Sequence, residues 1–192
     1  MNRLPRLRPD ELDPAQSELY AQIALGPRAS GPQHFALTGE DGSLNGPFNA
    51  LLFSPVLGTA LQALGAAVRY ETALTMRTRE LAILIVAARW RSSFERMAHE
   101  AVGRAAGLSQ HEVDEVWEGR LPELADPDEH AACALVFAMA RGDVADDLWT
   151  SCVATLGTAV AVELSTLVGY YATLALQLRV FRVDPPLPEE AP

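Results

Sequence analysis

Glu80, Ser92, Glu95 and His99 are spaced with eleven, two and three residues between successive members, and their side-chain types bear most directly on chemistry. Residues four apart on a helix share a face, so Glu95 and His99 in RWRSSFERMAHEA (89–101) can act on one group together. An imidazole ordinarily titrates near ~6.5, so it exchanges protons at neutral pH, and a neighbouring carboxylate fixes its tautomer. Glu80 and Glu95, if packed together, disfavour double ionisation, so one of them is expected to hold a proton and act as an acid. That is general acid/base chemistry, with His99 moving the proton. A structural alternative stands beside it. Ser92-x-x-Glu95 fits a capping box, in which the serine takes a backbone amide and the glutamate reaches back to the cap, and the same box recurs at Ser109 to Glu112.

An anionic substrate would be held by arginine, for which Arg77, Arg79, Arg89, Arg91 and Arg96 are the candidates. The residues expected to bind substrate are Ser92 with the amides at its helix start, Trp90, Arg89, and Asn49 and His34 from a long loop. Asn45 belongs to the same loop, and for these polar groups turn formation is the competing role. Glu80, Glu95 and His99 follow neither the H-E-x-x-H pattern nor the paired E-x-x-H of diiron bundles, so no metal and no cofactor are expected.

These side chains must be positioned by helices. Asp13-Pro14 and Ser54-Pro55 each offer a cap followed by proline, predicting helices over 14–25 and 55–69. Between them, residues 26–49 are rich in Gly, Pro, Asn and Ser, long for a structureless loop and of the kind that forms a lid or wraps a partner subunit. Met76 to Trp90 predicts a helix whose stretch from Leu81 to Ala88 is apolar all round, and a second helix follows Ser92. Capping signals at Ser109 and Asp126, with Gly119 and Gly142 as stops, predict two more, followed by helices near 146–156 and 159–181. No stretch alternates with period two, so the fold class is all-α. Residues 1–183 are expected to form a single domain, with 1–46 an N-terminal helix and long loop and 184–192 a proline-rich tail.

The spacing of Glu80, Ser92, Glu95 and His99, with the surrounding LNGPFNALLFSPVLGTALQALGAAVR, RTRELAILIVAARW and FERMAHEAVGRAAGLS, resembles the carboxymuconolactone decarboxylase and alkylhydroperoxidase D family. The likeness covers about residues 45–171. Redox members of that family carry cysteines where this chain has Ser92 and Glu95, and a serine hydroxyl cannot cycle through sulfenic acid and disulfide. The chain is closer to decarboxylase-type members, with a glutamate and a histidine four residues on. They often place an aromatic residue immediately after the glutamate, where this chain has Arg96. The resemblance implies an alkylhydroperoxidase D-like helical bundle assembling as a homotrimer or hexamer. It also implies a cofactor-independent decarboxylase or related proton-transfer lyase or isomerase acting on a small carboxylated lactone, with His99, Glu95 and Glu80 as its catalytic residues. The alternatives are a peroxidase that uses Cys133 or Cys152, and a noncatalytic oligomeric binding protein.

Composition narrows the partners. The chain has 25 acidic and 15 basic residues, all of the latter arginine, so nucleic acid and anionic membranes are unexpected and lysine Schiff-base chemistry is excluded. The uncharged segment from Leu164 to Leu178 is shorter than the ~20 residues of a membrane span, so a buried core or interface helix is expected there. No signal-peptide run opens the sequence, and a cytoplasmic location is expected.

Overall fold

A computed structural model describes residues 2–26 and 36–183. Among these residues there is no β-strand, only an isolated antiparallel bridge between Thr38 and Leu44, and the all-α expectation holds. The helices are α1 (Pro14–Ala24), α2 (Phe48–Leu51), α3 (Pro55–Tyr70), α4 (Met76–Trp90), α5 (Ser93–Ala105), α6 (Gln110–Trp117), α7 (Pro127–Met139), α8 (Asp146–Leu156) and α9 (Thr158–Phe181). Their starts follow the caps in the sequence. Asp13 accepts the Gln16 amide while the Gln16 side chain accepts the Asp13 amide, and Ser109 and Glu112 make the same reciprocal pair. Asp126 caps α7 through the amides of Asp128 and Glu129.

The described residues fall into two compact units, one drawn from residues up to 67 together with 176–183, the other residues 68–175. In the first, Leu19 and Ile23 of α1 are fully buried with Leu44, Phe48, Leu51 and Leu52. Each such side chain contributes roughly 1.5–3 kcal/mol by leaving water. The expectation that residues 26–49 act as an open loop or lid needs correction for the described part. Leu44 and Phe48 belong to this core, and 48–51 form the short helix α2. Four residues are too few for a periodic pattern, which is why the sequence does not announce that helix. Polar side chains fasten the segment: the Arg6 guanidinium donates to Ser43 Oγ and Asn45 Oδ1 at 2.6 and 2.8 Å.

Gly58 lets α3 approach this core. A Cβ there would lie 2.5 Å from Leu19 Cδ2 and 2.6 Å from the Leu51 carbonyl oxygen, and the latter is backbone that cannot swing away. Gly58→Ala is therefore expected to destabilise the protein by about 1–3 kcal/mol, although alanine is the better helix former by ~1 kcal/mol. A lower urea midpoint with an unchanged m value would register it.

In the second unit α4 is the central element, packed by α5, α6 and α7, with α8 on α7. Leu81 to Ala88 are all buried, as a helix apolar on every side requires. Arg77 ties its first turn to its neighbours, pairing with Glu129 and Glu112 at 2.8 and 2.7 Å and donating to the Gly107 carbonyl. Helix α9 is 24 residues long, well beyond the uncharged segment, and by length and apolar composition alone it passes as a membrane span. It nevertheless buries Leu164, Leu167, Tyr171 and Leu174 within the chain, as a core helix does.

Candidate active site

Two helix termini bring the acid/base residues together. Thr75 caps α4 by accepting the Thr78 amide, which starts the helix so that Glu80 falls on its second turn, fully buried. At the other end α4 stops at Arg91, whose backbone is left-handed (φ 51°, ψ 42°). The Ser92 amide donates to the Ala87 carbonyl at 2.9 Å and the Arg91 amide to that of Ala88 at 3.1 Å, a Schellman closure with arginine in the place glycine usually takes. Ser92 then caps α5, its Oγ accepting the Glu95 amide at 3.4 Å. One serine thus closes one helix and opens the next. Further along α5, Gly103 permits close contact with α4: a Cβ there would lie 2.7 Å from Leu108 Cδ1 and 3.6 Å from Glu80 Cβ.

The capping box is only half made. The Glu95 carboxylate does not return to the Ser92 amide, which is spent on Ala87; its Oε2 lies 3.4 Å from His99 Nε2. On the opposite edge of the ring, His99 Nδ1 is 2.6 Å from Glu80 Oε2. The imidazole therefore sits between two buried carboxylates from different helices, with Glu80, Glu95 and His99 at most 4% exposed. Tyr171 of α9 meets the ring edge-on, centroids 5.2 Å apart. Because the carboxylates contact opposite ring nitrogens, they cannot converge with the imidazole on one ion. Among the described residues no group of three His, Cys, Asp or Glu side chains is arranged to hold a metal.

Electrostatics sets the charge state of Glu80. Burial pushes the Glu80 carboxyl up, but the adjoining His99, with Arg69 and Arg79, more than offsets it and holds Glu80 below the usual carboxylate range. Arg79 Nε is 3.7 Å from Glu80 Oε1, and its guanidinium also donates to the Arg69 carbonyl at 2.6 Å. Burial raises the Tyr171 phenol far above neutral pH, so it stays protonated. Glu80 is thus an anion that accepts Nδ1–H and fixes the tautomer, leaving Nε2 to face Glu95.

Asn49 is 9% exposed and committed to the N-terminal segment, donating to the Pro5 carbonyl and accepting the Leu7 amide; Asn45 is likewise held by Arg6 and the Ala36 carbonyl. Their hydrogen bonds make them fasteners of the first unit. His34 lies outside the described residues. Ser92 is a cap, Trp90 is the half-buried last residue of α4, and Arg89 is exposed and donates to the Ala140 carbonyl. Arg96 and Arg91 stand over the Trp117 ring, 4.5 and 5.6 Å from its centroid. Arg69 and Tyr171 are not among the residues expected at the site, although Arg69 ends one of the stretches that carry the family resemblance. The available signal was a tyrosine within an uncharged apolar helix, whose hydroxyl needs a buried partner.

A cavity of about 600 Å³ runs along the other face of α5, lined by Ser93, Arg96, Met97, Glu100, Arg104 and Trp117 among others, and none of the three acid/base residues reaches it.

The family model for the carboxymuconolactone decarboxylase family matches residues 55–138, which include Glu80, Glu95 and His99. No curated protein matches the chain. Among solved structures, the chain is similar to an uncharacterised peroxidase-related protein with an alkylhydroperoxidase AhpD core from Ralstonia eutropha JMP134. The TM-score is 0.75 at 14% identity, covering 96% of this chain and 92% of that one. It is also similar to the debrominase Bmp8, with a TM-score of 0.70 at 11% identity over 94% and 90% of the two chains. A cysteine-to-alanine variant of Bmp8 in complex with 2,3,4-tribromopyrrole gives 0.71 at 12% identity, covering 96% and 91%. The fold is therefore the alkylhydroperoxidase D-like helical bundle that the sequence motifs implied.

Proposed function

We propose, from the match of residues 55–138 to the carboxymuconolactone decarboxylase family model, that the chain is a cofactor-independent carboxy-lyase or closely related proton-transfer enzyme acting on a small carboxylated lactone. The observation that carries this is His99 held between Glu80 at 2.6 Å and Glu95 at 3.4 Å in a buried site. Glu80, kept ionised, orients the ring. Glu95 and Nε2 then share the proton that is delivered. When carbon dioxide leaves, the bond's electron pair remains on the substrate as an enolate-like anion, and the Glu95–His99 pair protonates it at carbon. Burial of all three groups strengthens these interactions relative to water.

Thiol chemistry has less physical support. Burial pushes the Cys133 thiol up to about 12 and raises that of Cys152, so the reactive thiolate is scarce at neutral pH. Assembly as a homotrimer or hexamer in the cytoplasm belongs to the same proposal.

The test is incubation with carboxymuconolactone in deuterium oxide, following carbon dioxide release and deuterium bound to a ring carbon of the product. Turnover with one deuterium incorporated is expected, and Glu95→Gln should slow it by about 10²- to 10⁴-fold, the usual size of a general acid/base contribution. No turnover across a series of carboxylated lactones would discard the lyase reading in favour of a binding role, and turnover undiminished in Glu95→Gln would discard the assigned acid.

A further inference from the structure

A second cavity, of about 380 Å³, opens where α4, α6 and α7 end, and it shares none of the acid/base residues. Its floor is apolar: Ile85 and Ala88 of α4 are buried, and Phe137 of α7 adjoins them. Trp117 forms a wall. Around it stand three guanidinium groups, Arg89, Arg91 and Arg141, and no acidic side chain lines it. That local balance runs against a chain with a net charge of −10.

Arginines near helix C-termini have a simpler role, since they complement the carbonyl end of the helix dipole. Arg89 does this toward the Ala140 carbonyl and Arg91 toward that of Trp117, both at 3.3 Å. Each spends one donor of five and is thereby held at the cavity. Arg141, just past the C-cap of α7, also lies at a helix C-terminus, but its side chain donates to none of that helix's carbonyls. Among the described residues its exposed guanidinium makes no hydrogen bond or ion pair, yet it lines the cavity beside the aromatic floor.

We propose that this cavity binds a small aromatic carboxylate, with the ring against Phe137 and the Ile85–Ala88 floor and the carboxylate taken by Arg141 and Arg89. A planar guanidinium matches a carboxylate through two parallel hydrogen bonds. The volume falls within the ~300–1,000 Å³ of small-molecule pockets. An inorganic anion would leave the apolar floor unused, and a neutral aromatic would leave the arginines unused. The site stands independently of the proposed lyase reaction.

The experiment is calorimetric titration of the intact protein with 2-naphthoate, compared with 2-naphthamide and with inorganic phosphate. Saturable binding of 2-naphthoate is expected, at least tenfold weaker in Arg141→Gln and weaker again when Arg89→Gln is added. Arg141 is exposed, so its variant should melt with the parent, and Arg89→Gln alone supplies a second check. The proposal is overturned by any of three results: no saturable binding, equal affinity in Arg141→Gln, or equal affinity for 2-naphthamide or phosphate.

Discussion

Glu80→Ala is expected to lower the free energy of unfolding by about 3–5 kcal/mol, the cost typical of removing one partner from a buried charged cluster. The carboxylate is fully buried, with His99 Nδ1 at 2.6 Å and Arg79 Nε at 3.7 Å, so its loss strands donors that no water replaces. Glu80→Gln, which keeps an acceptor for Nδ1–H but not the charge, should fall between. Acid sensitivity gives an independent check. The folded state holds the Glu80 carboxyl below its ordinary value of about 4.5, so its contribution is present above that pH and is lost as pH falls through the folded pKa. The stability difference between wild type and Glu80→Gln should therefore be constant near neutrality and shrink below about pH 4.5. Urea titrations at successive pH values measure it, and a difference that stays constant into acid would show that Glu80 is not the ionised partner.

His99→Ala should reduce kcat/KM for decarboxylation by about 10²- to 10⁴-fold, equivalent to roughly 3–5 kcal/mol of transition-state stabilisation. A structural defect is separated from a chemical one by adding imidazole. Free imidazole should restore part of the activity if the missing group is a proton carrier, whereas it would do nothing for a collapsed site. Full activity in the variant would remove His99 from the mechanism.

Most of the framework is legible in the sequence because caps and stops act locally. Asp13, Ser109 and Asp126 each form the predicted cap, and the all-round apolar stretch at Leu81 to Ala88 is the buried centre of its unit. The Ser92–Glu95 box shows where local rules yield. Its serine half forms, but the glutamate turns to an imidazole one turn away, because a buried histidine facing Glu80 offers a stronger partner than one amide. Asn49 shows what a local pattern misses: its side chain is held by long-range bonds to Pro5 and Leu7. Arg69 lies eleven positions before Glu80 and Tyr171 seventy-two after His99, so only the tertiary fold unites them.

The junction at Arg91 and Ser92 has a consequence for how this protein can vary. With a single left-handed residue between α4 and the cap of α5, there is no slack to absorb a change in length. Each residue added to a helix rotates the downstream chain by about 100° and advances it 1.5 Å. One codon gained or lost between Glu80 and His99 would turn the imidazole away from its carboxylate. Point substitutions are thus the only changes this stretch can accumulate while keeping the site, and its length is inherited as a fixed ruler.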